Sequence, residues 1–155
     1  MRYEILSVAI MLLLSASFAS AISYDLPGMQ GYADAYNSKI DKAPEPLKAV
    51  LGSERINIEV IRNDGSVFRV GFEVEKARIN KTVEGGLKDP TSVIITTESA
   101  IESIRVSEDP IAAFQTQRDL GQVNIQGTNP LTSAKLVAVI STTSVLQFFY
   151  SILFG

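Results

Sequence analysis

The sequence contains no cysteine, no histidine and no tryptophan among its 155 residues. Without cysteine the chain has no disulfide, no thiol nucleophile and no zinc site built on thiolates. Without histidine it lacks the commonest general base and the commonest ligand of transition metals. Its formal net charge is -3, and it has no basic run that would attract nucleic acid. The composition therefore predicts a protein that is not an enzyme, holds no metal or cofactor and binds no nucleic acid.

Charged residues are confined to the middle of the chain. Apart from Arg2 and Glu4, every one of them lies between Asp25 and Lys135. The hydrophobic fraction of 46% is therefore an average over a water-soluble middle segment and two apolar ends. The length supports one domain with a real core, and two full domains would be cramped.

The N-terminal end has the features of a secretory signal peptide. Arg2 supplies positive charge, Ile5–Leu14 is an apolar run, and Ala19-Ser20-Ala21 matches the small-x-small cleavage pattern. We predict a signal peptide over residues 1–21 and an exported mature chain, secreted or held at the cell surface, that begins at Ile22. The alternative is an uncleaved membrane anchor, for which the apolar run is short.

The C-terminal tail, residues 136–155, contains no charged residue and is long enough to cross a bilayer as one helix. However, Ser144, Gln147 and Ser151 follow helical spacing and place a polar stripe along it. Lys135 precedes the tail and no cation follows it, which is the opposite of what the positive-inside rule favours for an exported chain. The tail is predicted to be a membrane anchor, and the alternative is a final helix that closes the core of the domain.

Between these ends, helices are predicted first. Residues 22–31 contain proline and glycine without a clear period, and we predict that they form an exposed leader. This leader and the N-terminal helix after it make up the segment 22–44. Short helices are predicted over Tyr32–Ile40 and Leu47–Leu51, the second preceded by Pro46 and followed by Gly52.

Strands are predicted next, from alternating apolar residues. Asn63-Asp64-Gly65 supplies a tight hairpin turn between the first two strands. The inward faces are predicted to carry Ile56, Ile58 and Val60 on the first strand and Phe68, Val70, Phe72 and Val74 on the second. Further strands are predicted over Ala77–Val83, Ser92–Thr96 and Gln122–Gln126.

The period then changes to that of helices. Thr97 can cap a helix, and Asp109-Pro110 and Asn129-Pro130 are typical helix starts. The predicted fold class is α+β, with about five strands in a mainly antiparallel sheet and helices packed on one side.

The order of these elements resembles the SCP2 sterol-carrier domain over residues 45–135. The resemblance is carried by Asp89-Pro90 followed by Val93, Ile95, Thr97 and Ile101, by Asp109-Pro110 followed by Ala113 and Phe114, and by Gln122–Gly127 before a C-terminal helix. The resemblance implies a non-catalytic domain that holds a lipid, sterol or fatty-acyl ligand in an apolar tunnel between sheet and helices.

Nine residues are candidates to line such a tunnel, because they are apolar and share the inward faces of the predicted elements. They are Phe68, Val70, Phe72, Val74, Val93, Ile95, Ile101, Ile104 and Phe114. A closed core has the same composition as a tunnel wall, so the alternative is a structural or interaction domain of the cell envelope with a filled core and no ligand.

One modification site is predicted. Asn80-Lys81-Thr82 is an N-glycosylation sequon, which after export would place a glycan on Asn80 at an exposed strand or loop.

Overall fold

The structure is a computed structural model that describes residues 21–155. The predicted signal peptide lies outside these residues except for Ala21. The helices are α1 (Leu26–Lys39), continued by a 3₁₀ turn (Ile40–Lys42), α2 (Glu45–Val50), α3 (Glu98–Arg105), α4 (Pro110–Asp119), α5 (Pro130–Ile140) and α6 (Thr143–Leu153). The strands are β1 (Ser53–Ile61), β2 (Val67–Glu75), β3 (Arg78–Glu84), β4 (Ser92–Thr97) and β5 (Val123–Gly127).

The five strands form one sheet in the order β3-β2-β1-β4-β5. β1 pairs antiparallel with β2, β2 with β3, and β4 with β5, whereas β1 and β4 run parallel. The predicted α+β class and its mainly antiparallel five-stranded sheet are therefore confirmed.

The two faces of the sheet have different surroundings. Ile58 is paired with Val70 on one side and with Ile94 on the other, so the apolar positions of the central strands share one face, and the helices cover it. The opposite face carries ion pairs between Arg55 and Glu73 at 2.9 Å and between Arg69 and Glu59 at 3.3 Å. This division places the whole apolar interior on the helical side of the sheet.

The connection from β3 to β4 crosses the outer, charged face. Asn57 holds it there, since its side chain accepts from the Leu87 N–H at 2.7 Å and donates to the Leu87 carbonyl at 2.9 Å. A Cβ on Gly71 would lie 2.8 Å from the backbone nitrogen of Leu87, so only glycine lets this loop lie flat on β2.

The predicted helix starts after β4 are confirmed by their capping bonds. The Thr97 hydroxyl accepts from the Ala100 N–H at 3.1 Å, Asp109 from Ala112 at 3.0 Å, and Asn129 from Thr132 at 2.9 Å. Each cap satisfies one of the unpaired N–H groups at a helix N-terminus, which is why these short polar residues mark the starts so well.

The prediction of an exposed leader over residues 22–31 is wrong for residues 26–31. Helix α1 already begins at Leu26, where the Asp25 carboxylate accepts from the Gly28 N–H at 2.7 Å. Met29 is buried there against the sheet, and Ile22 packs beside it. The glycines at 28 and 31 obscured a helix whose start is fixed by the Asp25 cap.

The C-terminal tail forms parts of two helices. α5 and α6 meet at a bend of 75°, so the single helix predicted over residues 136–155 is wrong, and its predicted start falls inside α5. The Thr142 hydroxyl donates to the Val139 carbonyl at 2.8 Å, and this local bond competes with continued helix at the break.

The second helix of the tail packs on the core of the domain. Val145 is fully buried, in one cluster with Leu47, Leu51, Val74 and Tyr36. Among residues 21–155 no single helix is long and apolar enough to cross a membrane, although the bent pair α5–α6 meets the requirement of length and composition when both are counted.

Candidate functional site

A cavity of about 350 Å³ lies between the inner face of the sheet and the helices. Every described helix contributes to its wall. The inward-facing rows of β1, β2, β4 and β5 contribute as well, and Ile79 of β3 lies at one side. Among residues 21–155, no lysine, arginine, aspartate or glutamate lines it. A space of this size with an apolar wall falls in the range of ligand pockets.

Seven of the nine residues predicted to line a tunnel do line this cavity. They are Phe68, Val70, Phe72, Val74, Ile101, Ile104 and Phe114. The four on β2 come from its inward row, and the three others come from α3 and α4. The alternation of β2 and the helical period of the following segment were sufficient to identify them.

The placement of Val93 and Ile95 is wrong. β4 turns Ser92, Ile94 and Thr96 toward the cavity, and its register puts Val93 beside Asn57 on the outer face. In a run of apolar residues such as Val93-Ile94-Ile95 the sequence does not say which alternate set faces inward, because both sets are apolar.

Much of the wall comes from residues that were not proposed for it. The inward row of β1, Ile56, Ile58 and Val60, was assigned to one face but not to the cavity. The tail adds residues from both of its helices, including Leu136, Val139, Ile140, Leu146, Phe149, Tyr150, Ile152, Leu153 and Phe154. The apolar composition of the tail was the available signal. It led first to the membrane-anchor prediction, whereas the alternative of a final helix that closes the core is nearer to this role.

Aromatic rings close two sides of the cavity. Tyr36 of α1 meets Phe148 edge-on with ring centroids 5.9 Å apart and stacks on Phe149 at 6.3 Å, which joins α1 to α6. Near the start of α1, Tyr24 meets Phe68 edge-on at 6.0 Å. Such pairs add to the stability gained by burial alone and give the wall a fixed shape.

Burial changes the acidity of both tyrosines. It raises the pKa of Tyr36 to about 12, against a smaller opposing effect of Arg78, and the hydroxyl donates to the Ala77 carbonyl at 2.8 Å. Burial also raises the pKa of Tyr24 to about 12, and the carboxylates of Glu98 and Glu102 act in the same direction. Both phenols are therefore neutral at physiological pH.

The raised pKa of Tyr36 predicts a loss of stability in alkali. An unfolded tyrosine releases its proton near pH 10, whereas folded Tyr36 keeps its proton until about pH 12. Its contribution is therefore complete below pH 10 and is lost as the pH rises from 10 through 12, up to about 3 kcal/mol. Urea unfolding at several pH values should show this fall. Tyr36→Phe should be less stable at pH 8 but show a smaller fall, and equal slopes in both proteins would contradict the assignment.

Two hydroxyls on β4 stand out in this apolar wall. Ser92 is 2% exposed and Thr96 is 7% exposed, and neither side-chain oxygen has a hydrogen-bond partner among the described residues. Buried hydroxyls normally have a partner, because an unpaired one loses its bonds to water without replacement.

The predicted glycosylation site lies at the sheet edge. Asn80 is in β3, an edge strand, and is exposed, as the sequon's placement on a strand or loop predicted. Its amide donates to Glu75 at 3.2 Å.

Searches against known proteins gave structural matches only. No family model matches the sequence, and no curated protein matches it. A conserved hypothetical protein from Thermus thermophilus, described as a candidate sterol carrier protein, superposes with a TM-score of 0.56 at 10% identity over 88% of this chain and 93% of that chain. A crystal structure of sterol carrier protein 2 gives a TM-score of 0.55 at 10% identity over 84% and 96%. The chain therefore has the SCP2 fold.

Proposed function

We propose that this chain, with its SCP2 fold, is an exported, non-catalytic domain that holds an apolar lipid between its sheet and its helices. The observation that carries the proposal is the cavity of about 350 Å³ on the inner face of the sheet. The names of the two similar proteins, both of which refer to sterol carriers, agree with a ligand of this kind.

The energetics of such a site need little besides burial. Each CH₂ group moved from water into the cavity contributes about 0.8 kcal/mol, so a long hydrocarbon body binds without a charged contact. Among the described residues the wall carries no charged side chain, so its serine, threonine and tyrosine hydroxyls have no general base on the wall to activate them. A carrier or sensor of intact lipid is the function that this wall supports best.

The direct test is to look for the ligand in the purified protein. The full chain, produced with its N-terminal segment and purified without detergent, is analysed by native mass spectrometry and by extraction of bound lipid. We expect a lipid mass on the folded protein, or uptake when the protein is mixed with phospholipid vesicles containing cholesterol and fatty acid. A protein that stays bare in both experiments would support the filled-core alternative.

A substitution that fills the cavity provides the matched comparison. Ile104→Trp adds bulk on α3 toward the cavity and should reduce lipid uptake at least about fivefold, because overpacking of the site costs ~1–3 kcal/mol. Val106→Trp, at the end of the same helix, changes a residue that is 63% exposed and should bind like the parent protein. Equal uptake by both variants would place the ligand elsewhere.

Export is tested separately. We propose that residues 1–21 are removed as a signal peptide, so N-terminal sequencing of the protein secreted by its own cells should begin at Ile22. In a host with N-glycosylation, a glycan on Asn80 should be removed by a glycosidase and be absent from Asn80→Gln. A cytosolic protein that retains Met1 would overturn the export proposal and leave lipid binding untouched.

A further inference from the structure

The two unpaired hydroxyls of β4 indicate what kind of lipid the cavity takes. Ser92 and Thr96 both line the cavity, with Ile94 between them on the same face of the strand. Each side-chain oxygen is itself buried, so a bond to a ligand requires the hydroxyl to rotate about χ1 toward the cavity. Thr96 lies four residue steps after Ser92 along the extended strand, which is roughly 13 Å. They are therefore two distinct polar points at the two ends of one apolar stretch, and a single head group does not reach both.

The surroundings define the chemistry that these points can accept. A hydroxyl both donates and accepts, so it pairs with an alcohol or with a carbonyl oxygen. In the part of the chain that the structure describes, no charged side chain lines the cavity, so an ionised carboxylate or phosphate placed against Ser92 or Thr96 would be buried without a counter-charge. Tyr36, the most buried phenol of the wall, already donates its hydroxyl to Ala77 and is not available.

We propose that the ligand is an uncharged lipid that lies along β4 and carries a hydroxyl or carbonyl oxygen at each end of its apolar body, one bonded to Ser92 and one to Thr96. This inference rests on the proposed function, because it concerns the same cavity. It adds a selection rule: oxygens at both ends of the molecule increase affinity here, whereas in a purely apolar pocket a second oxygen weakens binding by its desolvation cost.

The test compares two ten-carbon probes, decanol and the α,ω-diol decanediol, by titration calorimetry on the full chain. An extended decanediol is similar in length to the separation of the two hydroxyls, and hexanediol is too short to reach both. We expect decanediol to bind more tightly than decanol. Hexanediol, which reaches only one of the two hydroxyls, should bind more weakly than decanediol.

The variants remove one hydroxyl at a time while keeping shape. Ser92→Ala and Thr96→Val should each weaken decanediol by about 3- to 10-fold, the effect of one hydrogen bond, and the double variant should bind decanol more tightly than decanediol. Thr96→Ser keeps the hydroxyl and should keep the preference for the diol. Ile94→Val, between the two positions, removes only a methyl group and should weaken both probes alike.

The outcomes separate the two proposals. If decanol binds but decanediol is weaker in the parent protein and the hydroxyl variants leave the ratio unchanged, the selection rule is wrong and lipid binding stands. If neither probe binds and the folded protein also takes up no lipid from vesicles, the proposed function fails, and this inference fails with it.

Discussion

Removing residues 142–155 should destabilise this protein by at least about 4 kcal/mol. The deletion takes away α6, whose Val145 is fully buried and whose Leu146 is 8% exposed, and it uncovers the apolar surface of Leu47 and Tyr36. Burial of each such side chain contributes about 1.5–3 kcal/mol. Because natural domains are stable by only about 5–15 kcal/mol, the shortened chain should be partly unfolded at 37 °C.

Urea unfolding followed by circular dichroism measures this effect, with Gln147→Ala as the control. Gln147 lies in the same helix but is exposed, so its replacement should change stability by less than about 0.5 kcal/mol. Carbonate extraction of membranes from cells that produce each protein also tests the membrane anchor that was predicted for the tail. A shortened chain that keeps its urea midpoint, while the full chain resists extraction from membranes, would contradict the packing of α6 on the core.

Leu47→Ala should cost about 3 kcal/mol. Leu47 of α2 is 1% exposed and lies in the cluster where α1, α2, β2 and α6 meet, so truncation leaves a void among side chains from four elements. Substitutions of this type cost ~2–5 kcal/mol, and the cost rises with the volume that the surroundings fail to fill. Because Leu47 also borders the cavity, the void joins existing empty space, and we expect little relaxation to offset it.

Leu131→Ala is the matched control, with the same chemical change in a helix. Leu131 lies in the first turn of α5 and is 65% exposed. Its truncation should change the free energy of unfolding by less than about 0.5 kcal/mol, as for most surface positions. Thermal and urea unfolding should show a clearly larger loss of stability for Leu47→Ala than for Leu131→Ala. Similar losses in the two variants would mean that Leu47 does not occupy the core position described.

The features predicted correctly from the sequence are those with a local cause. The alternation of β2 and the caps at Thr97 and Asp109 depend on residues a few positions apart, so the period and the capping residue identify them. The hairpin at Asp64-Gly65 is of the same kind, since Gly65 has φ 83° and the Asp64 carboxylate accepts from the Ser66 N–H at 2.9 Å.

The features that were missed depend on the rest of the molecule. The turn between β2 and β3 uses Lys76 and Ala77 at φ 50° and 61°, values for which glycine or asparagine is the usual marker. The fold holds this turn by burying Ala77 and by a hydrogen bond from the Tyr36 hydroxyl of α1 to the Ala77 carbonyl. The third strand was therefore predicted to begin at the turn itself.

The same reason explains the errors at the site. Which of Val93, Ile94 and Ile95 faces the cavity is decided by the pairing of β4 with β1, where Ile58 is opposite Ile94. The destination of the tail is decided by the surface that α1 and α2 present to α6. Neither partner lies near these residues in the chain, so no local pattern contains the answer.

The position of β1 in the sheet has a kinetic consequence. β1, β2 and β3 are joined by short turns and can form as a local meander, whereas the parallel partner of β1 is β4, from Ile56 opposite Ser92 to Ile61 opposite Thr97. Closing that pair requires a long loop, which makes it slow. During synthesis the free side of β1 remains an unpaired strand edge until residue 97 has been made. We expect this edge to be where newly made chains associate with one another when folding is slowed.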